Sequence, residues 1–367
     1  MKIALLGTRG IPARYGGFET FAEELSVRLA QRGHQVTVYG RTNNIRTREP
    51  LYRGVRLALL PTIAHKYFDT VAHTFLSTLH LLFHRADVAL YCNSANAIFT
   101  ALPRAAGMPT VLNVDGLEFQ RKKWNSLGRA WYRWSERLST WLPSAVVSDA
   151  VVIQKHYAKR YGKQTSCIVY GAETGKVETR AALDRLGLQP EEYFLYVSRM
   201  EPENNARLVV KAFERVPGAR KLVMVGDAPY ASAYIRELKN TRDPRILFPG
   251  GIYGDGYKEL QSHCFAYIHA TEVGGTHPAL IESMGRGCAV LFLETPENAE
   301  VAGGVGLAYP KSEEALSAAI AQIAALSPEQ RRRMGEAGVE RVRERYSWDA
   351  VVEQYEQLFR QVSGKAR

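Results

Sequence analysis

Short runs of apolar residues alternate with amphipathic stretches along the whole chain. In the first half the apolar runs predict strands at residues 2–6, 35–39, 55–59, 87–91, 110–114, 145–148 and 166–169. Helical patterns lie between several of them, at residues 18–31, 67–83, 97–106, 127–141 and 151–161. Because strands without polar alternation are buried on both faces, this order predicts a parallel sheet covered by helices.

The same alternation restarts after a polar stretch at residues 173–192, which is the candidate linker. Strands are predicted at residues 193–197, 221–225, 246–248, 266–269 and 289–292, and helices at 206–214, 230–239 and 278–285. Residues 326–345 are charged and amphipathic, and Ser347 is a candidate N-cap for a last helix that ends near residue 362. The fold class is therefore α/β, with two Rossmann-like domains that face each other across a cleft.

Length and composition limit the number of domains and the class of protein. A length of 367 residues suits two domains, and 46% hydrophobic with 23% charged residues is typical of a soluble globular protein. The start does not resemble a secretion signal, and no apolar run approaches the roughly 18 residues of a membrane span, so a cytoplasmic protein is expected. The four scattered cysteines predict free thiols rather than a zinc site.

The net charge of +11 is unevenly distributed. Residues 1–170 contain 23 Lys and Arg against 10 Asp and Glu, whereas the rest contains 25 against 27. This asymmetry suggests that the first half meets an anionic partner, for which a membrane surface or a phosphate-bearing lipid acceptor is suitable. Nucleic acid is disfavoured because no reading module is recognisable, and a solvated basic face remains the alternative.

The turn after the first strand, GTRGIPARYGGFETF, is the first candidate site. Gly7, Gly10, Gly16 and Gly17 allow sharp turns with uncovered amides, and the following helix adds its positive end. These features suit a diphosphate or a charged transition state, although the turn has neither the G-x-G-x-x-G nor the P-loop pattern. Any α/β protein, however, needs a tight turn here.

Two further candidates follow strands of the second half. In HATEVGGTHPALIE, a helix that opens near Pro278 could hold phosphate oxygens while Glu282 accepts hydrogen bonds from ribose hydroxyls. In YVSRMEPENN, Arg199 at a strand's carboxyl end could bridge two phosphates. The alternatives are a favourable charge early in a helix for Glu282 and an ordinary surface position for Arg199.

The fourth candidate is NVDGLEFQRKKW, in which Asp115 and Glu118 precede a cluster of three cations and Trp124. An aromatic ring beside cations could bind a phosphorylated or glycosylated acceptor. The alternative is a solvated loop.

Together these stretches resemble glycosyltransferase family 4, whose members are retaining enzymes with the GT-B fold. The resemblance covers essentially the whole chain. It also includes VIQKHYAKRYGK with IVYGAE before the linker, LVMVGDAP after Arg199, and RYSWDAVVEQYEQLF at the end. The motifs GTRGIPARYGGFETF, VDGLEFQRKKW and EVGGTHPALIE are more narrowly similar to bacterial rhamnosyltransferases of capsule and exopolysaccharide synthesis.

The resemblance implies an acceptor-binding domain at residues 1–172, a domain that binds the nucleotide sugar at 173–346, and a last helix, 347–367, that packs back on the first domain. It implies catalytic roles for Arg199, Gly16, Gly17 and Asp115. The implied donor-binding residues are Asn204, Gly226, Asp227, Gly274, Gly275, Thr276 and Glu282, and the implied acceptor-binding residues are Glu118, Arg121, Lys122 and Trp124. No metal or other cofactor is expected, since the chain has no D-x-D pair. Front-face transfer, in which the leaving phosphate takes the acceptor's proton, is expected instead.

Three departures from the family pattern bear on the donor. Gly274 stands eight residues before Glu282, where the family often has a glutamate, and Glu272 is two places too early. Asn204 replaces the usual lysine, and Asp115 stands about where many members have a histidine that contacts the sugar. The changes at Gly274 and Asp115 alter sugar contacts and favour a 6-deoxy sugar, whereas Asn204 removes a phosphate-binding charge and leaves more of that work to Arg199 and to backbone amides. The hypothesis is rhamnosyl transfer from dTDP-rhamnose to a lipid-linked or oligosaccharide acceptor at the inner face of the plasma membrane. The alternatives are a UDP- or GDP-sugar glycosyltransferase, a nucleotide-sugar epimerase with the same fold, and a non-catalytic binding protein.

Overall fold

The structure is a computed structural model that describes residues 1–13, 16–47, 49–65, 68–121, 124–228 and 232–364. The chain divides into two compact units. The N-terminal unit is Met1–Tyr170 together with Trp348–Arg367, and the C-terminal unit is Gly171–Ser347.

The N-terminal unit contains one eight-stranded sheet with helices between its strands. Its strands are β1 (Lys2–Leu6), β2 (Gln35–Arg41), β3 (Leu51–Tyr52), β4 (Val55–Leu60), β5 (Val88–Cys92), β6 (Thr110–Asn113), β7 (Ala145–Ser148) and β8 (Ser166–Cys167). Its helices are α1 (Gly17–Gln31), α2 (Asp69–Phe83), α3 (Ala101–Ala105), α4 (Ser126–Ser139), α5 (Val151–Tyr161) and α14 (Trp348–Val362).

Strand β1 lies in the middle of this sheet, whose order is β3-β4-β2-β1-β5-β6-β7-β8. All neighbours are parallel except the pair β3 and β4. The chain runs outward from β1 to β2 on one side and then crosses to β5 on the other. In such sheets ligands bind beyond the carboxyl ends of the strands at the point where the order reverses.

The last helix, α14, is part of the N-terminal unit. The Tyr355 ring lies 5.5 Å from the Phe21 ring of α1, and the Tyr355 hydroxyl accepts a 2.9 Å hydrogen bond from the Asn113 amide at the end of β6. Glu356 pairs with Arg32 at 2.7 Å. The helix therefore buries its apolar face against α1 and the sheet.

Helix α2 has an unusual distribution of polar and apolar side chains. It buries Asp69, His73, Thr74, Ser77 and Thr78 with Leu81. By contrast, the exposed positions at and within this helix are large and apolar: Phe68, Phe75, Leu76 and Phe83. Two of the buried polar residues have partners on β2, since Arg41 pairs with Asp69 and the His73 ring bonds to the Gly40 carbonyl oxygen at 3.0 Å. The helix therefore turns a polar face inward and exposes several large apolar side chains to solvent.

The C-terminal unit has a six-stranded parallel sheet in the order β11-β10-β9-β12-β13-β14. Its strands are β9 (Tyr193–Val197), β10 (Lys221–Val225), β11 (Ile246–Gly250), β12 (Ala266–His269), β13 (Val290–Leu293) and β14 (Leu307–Tyr309). Its helices are α6 (Ala181–Leu186), α7 (Ala206–Glu214), α8 (Ser232–Lys239), α9 (Asp255–His263), α10 (Pro278–Gly285), α11 (Pro296–Ala302), α12 (Glu313–Ala325) and α13 (Pro328–Arg345).

In order of sequence this sheet reads 3-2-1-4-5-6, which is the Rossmann order. The parallel strands β4-β2-β1-β5-β6-β7 of the N-terminal sheet follow the same order, so both units are Rossmann-like as predicted. Strands β9 and β12 are buried on both faces, with Phe194, Tyr196 and Ile268 in the main apolar core and Leu195 and Tyr267 buried on the opposite face. Such strands have no polar alternation, which explains why the sequence predicts them closely.

Several predicted elements differ from the observed ones. The stretch at 173–192, expected to be a linker, contains α6, and the helix expected at 97–106 is a 3₁₀ helix, Ser94–Thr100, followed by α3. The expected helix at 326–345 begins at Pro328, because Ser327 forms a capping box with Gln330. The predicted helix starts at residues 67 and 230 lie outside the described part of the chain.

All four cysteines are free, and three of them are buried; Cys167 is partly exposed. Among the helices that the structure describes, none combines the length and the apolar character that crossing a membrane requires.

Candidate functional site

The strand order of the C-terminal unit places its candidate residues at one edge. Arg199 follows β9, Gly226 follows β10, and Gly274 follows β12. Since β10, β9 and β12 are neighbouring parallel strands, the three loops leave the sheet side by side. The order reverses between β9 and β12, so this edge is the expected ligand-binding crevice of the unit.

The Arg199 turn is held by its own backbone and by buried side chains. The Asn204 amide donates to the Arg199 carbonyl oxygen at 2.7 Å, and the Tyr196 hydroxyl donates to the Asn204 carbonyl oxygen at 2.6 Å. The Arg199 guanidinium lies 3.6 Å from the Glu201 carboxylate and is partly exposed. Asn204 is buried, so it shapes the turn that carries Arg199.

Gly226 permits a close approach of two strand ends. Its φ is +142°, and a Cβ built there would lie 1.8 Å from the carbonyl oxygen of Ser198. No side chain fits this position, because both the backbone conformation and the neighbouring carbonyl exclude it. The next residue, Asp227, is exposed, and its carboxylate accepts a 2.7 Å hydrogen bond from the Ala228 amide.

Two hydrogen bonds tie the loop after β9 to the loop after β12. The Asn205 amide donates to the Ala270 carbonyl oxygen at 2.8 Å, and the Glu272 backbone N–H donates to the Glu203 carbonyl oxygen at 3.2 Å. Asn205 has a left-handed backbone, φ 57°, which the short polar side chain of asparagine tolerates. These contacts set the distance between the Arg199 turn and the glycine-rich loop.

The glycine-rich loop at Gly274 packs on the imidazole of His277, a residue that the sequence does not indicate as part of the site. His277 Nδ1 donates to Asn298 Oδ1 at 2.5 Å, while Asn298 Nδ2 donates to the Thr271 and Leu293 carbonyl oxygens. A Cβ on Gly274 would lie 2.3 Å from His277 Nε2. The ring therefore occupies the space that any side chain at position 274 would need.

A second imidazole lies beneath the same loop. The His269 ring is 4.9 Å from the His277 ring, centroid to centroid, at the end of β12. Burial, together with the neighbouring His277, holds the pKa of His269 well below its ordinary value. The ring is therefore neutral at physiological pH. The pattern H-x7-H in the sequence contains both residues, but spacing alone does not distinguish them from core histidines.

Glu282 lies on the second turn of α10, after Gly275 and Thr276, which are buried. Its carboxylate accepts a 2.7 Å hydrogen bond from the hydroxyl of Tyr257, a residue of α9. Burial, and then the Glu282 charge, raise the pKa of Tyr257 well above its ordinary value, so this phenol is a permanent donor. No spacing in the sequence points to Tyr257, which lies 25 residues before Glu282.

In the N-terminal unit the loop after β1 is the corresponding edge. Gly7 has φ +91° and Gly10 has φ +103°, and Cβ atoms there would lie 2.4 Å from the Cys92 carbonyl oxygen and 2.6 Å from the Gly40 Cα. Gly16 is the N-cap of α1 and Gly17 its first residue. The Glu19 carboxylate accepts a 3.0 Å hydrogen bond from the Arg9 backbone N–H, which folds the loop onto the helix start.

The predicted acceptor residues form a packed cluster within the same unit. Arg121 is paired with Glu118, and the Trp124 indole N–H donates to Glu118 at 3.4 Å. Both Glu118 and Arg121 are buried, which contradicts the alternative of a solvated loop for these two residues. Asp115 has a positive φ of 56°, and its backbone N–H donates to the Asn113 side chain at 3.0 Å. Lys122 lies outside the described residues.

The edge of the C-terminal unit combines a cation, a helix N-terminus and a carboxylate. Helix N-termini and guanidinium groups bind phosphate, and a carboxylate binds hydroxyl groups. The arrangement therefore suits a ligand that presents both an anionic group and hydroxyls. Within the described residues, no group of three or more His, Cys, Asp and Glu side chains is arranged to hold a metal ion.

Two family models match the chain. Residues 15–171 match the model of Glycosyltransferase Family 4, and residues 180–341 match that of Glycosyl transferases group 1. Together the two matches span most of the sequence. A comparison with curated protein sequences found no match.

Solved structures resemble the chain over its whole length. Sucrose-phosphate synthase from Thermosynechococcus elongatus superposes with a TM-score of 0.83 at 20% identity, and 100% of each chain is covered. HepE of Anabaena in complex with UDP-glucose gives 0.78 at 16% identity, over 98% of this chain and 100% of that one. WaaG, a glycosyltransferase involved in lipopolysaccharide biosynthesis, gives 0.74 at 17% identity, over 98% and 99%.

At these identities the structural likeness shows the fold, and the fold is GT-B. The family models identify the enzyme class from the sequence. The chain belongs to family 4 of the glycosyltransferases.

Proposed function

We propose that this protein transfers a hexosyl or deoxyhexosyl group from a nucleotide-diphosphate sugar to a glycan or lipid-linked acceptor. One observation carries the proposal: Arg199 and the loop Gly274–Thr276 follow β9 and β12, between which the strand order reverses. Arg199 and the N-terminus of α10 bind the diphosphate, and Glu282 binds the ribose hydroxyls. HepE, a structural neighbour, was crystallised with UDP-glucose, which supports a donor of this class.

In the proposed reaction the protein stabilises charge rather than supplying a nucleophile. Arg199 neutralises the diphosphate as the bond between the sugar and its phosphate breaks. The leaving phosphate takes the proton of the acceptor hydroxyl on the same face, and the anomeric configuration is retained. In the N-terminal unit, Gly16 and Gly17 lie at the N-terminus of α1, whose positive end suits an anionic group. This reaction needs no metal ion.

The proposed donor is dTDP-rhamnose. Two substitutions support it, namely Asp115 and Gly274 at positions where many family members have a histidine and a glutamate that contact hydroxyls of the sugar. A 6-deoxy sugar lacks one hydroxyl, so it needs fewer of these contacts. UDP- and GDP-sugars remain the competing donors.

The proposed acceptor is assembled on a lipid at the inner face of the plasma membrane, as in capsule or exopolysaccharide synthesis. The N-terminal unit would bind this acceptor. Residues 1–170 have 13 more basic than acidic residues, and α2 exposes Phe83, which is 85% accessible, with Phe68 and Phe75. A basic unit that also exposes aromatic rings is suited to an anionic membrane surface. WaaG, which acts in lipopolysaccharide biosynthesis, has the same fold.

A donor panel with product analysis tests the proposal. The purified protein is incubated with UDP-glucose, UDP-galactose, GDP-mannose or dTDP-rhamnose, each with and without a synthetic lipid-diphosphate sugar acceptor and with EDTA as a further arm. We expect dTDP release only from dTDP-rhamnose with acceptor present, at a rate that EDTA leaves unchanged. Turnover of UDP- or GDP-sugars alone would overturn the donor. Conversion of a donor without acceptor would indicate an epimerase.

A further inference from the structure

Behind Glu282 lies a chain of hydrogen bonds that links helices α9 and α10. The Tyr257 hydroxyl donates to Glu282 Oε2 at 2.7 Å, and Gln261 Nε2 donates to the Tyr257 oxygen at 2.8 Å. The same Gln261 nitrogen donates to Ser283 Oγ at 2.9 Å. Ser283 Oγ in turn donates to the Ala279 carbonyl oxygen at 2.8 Å.

The direction of every bond in this chain is fixed. An amide nitrogen can only donate, so Gln261 uses its two N–H groups on the oxygens of Tyr257 and Ser283. Each hydroxyl therefore has its single proton left for its other neighbour, and the proton of Tyr257 points at Glu282. Burial raises the pKa of this phenol, which keeps that proton in place at physiological pH.

We propose that Tyr257 is a positioning residue for the donor: it fixes the orientation in which the Glu282 carboxylate binds the ribose. This inference rests on the proposed function. A glutamate has three rotatable side-chain bonds, and a hydrogen bond to a buried phenol removes most of that freedom before the ligand arrives. Tyr257 therefore acts on the affinity for the nucleotide and not on the transfer of the sugar.

A purely structural role is the competing interpretation, because the same bonds hold α9 against α10. The chain offers a matched control. The Tyr193 hydroxyl donates to the Leu260 carbonyl oxygen of α9 at 2.7 Å, and both Tyr193 and Leu260 are fully buried. Tyr193→Phe removes a buried phenol bond of the same length to the same helix without touching Glu282.

The experiment measures binding of UDP and of dTDP by calorimetry. The proteins are the wild type, Tyr257→Phe, Tyr193→Phe, Glu282→Ala and the double variant Tyr257→Phe/Glu282→Ala. We expect Tyr257→Phe to weaken nucleotide binding about 3- to 10-fold and to raise the donor KM by the same factor, with kcat within about twofold of the wild type. Tyr193→Phe should bind nucleotide as the wild type does. In the Glu282→Ala background, Tyr257→Phe should have no further effect.

The other possible results contradict either the positioning role of Tyr257 or the proposed function as a whole. Normal nucleotide binding by Tyr257→Phe overturns the positioning role alone, as does an equal loss in the Glu282→Ala background or in Tyr193→Phe. A wild type that binds neither nucleotide overturns the proposed function together with the inference.

If Tyr257→Phe does not fold, Gln261→Met replaces it, because this substitution removes the amide donor that orients the Tyr257 proton. The same weakening of nucleotide binding is expected, and unchanged binding overturns the positioning role.

Discussion

The side-chain amide of Asn204 donates a 2.7 Å hydrogen bond to the backbone carbonyl oxygen of Arg199. Because this bond closes the turn that presents the guanidinium, Asn204→Ala should misplace Arg199. We expect kcat/KM for the donor to fall about 10-fold and the free energy of unfolding to fall by about 1 kcal/mol. Steady-state kinetics and urea denaturation measure the two effects.

Tyr196→Phe is the control for this variant. It removes the hydroxyl that donates to the Asn204 backbone carbonyl oxygen at 2.6 Å but leaves the amide on Arg199. It should lower stability by a similar amount and leave kcat/KM within about twofold. Equal kinetic losses in both variants would show that the loss does not come specifically from the amide bond between Asn204 and Arg199.

Arg199 itself should matter most for the chemical step. If its guanidinium neutralises the leaving diphosphate, Arg199→Ala should lower kcat about 100- to 1,000-fold, and Arg199→Lys should recover part of the loss. Arg207→Ala is the matched control, because Arg207 lies on α7 of the same unit and is exposed in its pair with Glu237. Retention of more than half the activity in Arg199→Ala would exclude the proposed role.

Gly226→Ala tests the close approach of β9 and β10. A methyl group there would lie 1.8 Å from the Ser198 carbonyl oxygen, so we expect the free energy of unfolding to fall by about 4 kcal/mol or more. Gly218 also has a positive φ, +125°, but a Cβ there would meet nothing within 4 Å. Gly218→Ala should therefore cost only the backbone strain, about 1–3 kcal/mol. Similar losses in urea denaturation would contradict the steric argument.

The sequence predicts the positions of Arg199 and Gly274 well because both follow from strand ends. Buried strands such as β9 and β12 are runs of mostly apolar residues, and the loop that follows each run must lie at the carboxyl edge. It does not predict the partner of Glu282. Tyr257 lies on a different helix, and which of its faces meets α10 depends on packing that no local pattern records.

Polar stretches are harder to predict from the sequence than buried strands. Residues 173–192 have the composition of a linker, yet they contain α6, of which only Ala182 and Leu183 are buried. Two buried side chains give too weak a periodic signal to indicate a helix.

In α2 the periodic signal is clear, but the face that is buried is not the one that it suggests. Its apolar residues suggest a buried face, but Asp69 and His73 are buried instead, where Asp69 pairs with Arg41 and His73 bonds to the Gly40 carbonyl oxygen.

His73 should make the N-terminal unit sensitive to acid. Burial, together with the charge of Arg41, lowers its pKa from 6.5 to about 4, while the Gly40 carbonyl oxygen and Asp69 oppose the shift. The unfolded chain therefore takes up a proton at a higher pH than the folded protein does. The stabilisation is complete above pH 6.5, falls as the pH drops towards 4, and amounts to about 3 kcal/mol.

His73→Gln isolates this contribution from that of the carboxylates. Glutamine keeps an N–H donor for the Gly40 carbonyl oxygen but does not titrate. Denaturation in urea between pH 7 and pH 4 should show a smaller loss of stability for the variant than for the wild type. Parallel pH profiles for the two proteins would exclude His73 as the source.

The exposed apolar side of α2 leads to a prediction about membranes. Phe83 and Phe68 are 85% and 57% exposed, within a unit that carries the whole positive excess of the chain. Exposed aromatic rings enter the headgroup region, and basic residues attract anionic lipid. We therefore expect the wild type to float with vesicles of anionic lipid at low salt and to be released at high salt, because salt screens the attraction between basic residues and anionic lipid.

The double variant Phe68→Ser/Phe83→Ser should float less at both salt concentrations. Its melting temperature should change little, since both side chains are mostly exposed and Phe68 contacts only the His65 ring among the aromatic side chains described. Leu51→Ser is the control, because Leu51 is 58% exposed in the same unit but lies on the edge strand β3 and not on α2. If the wild type does not float even at low salt, the basic unit does not attach to membranes, and the acceptor must reach the enzyme by another route.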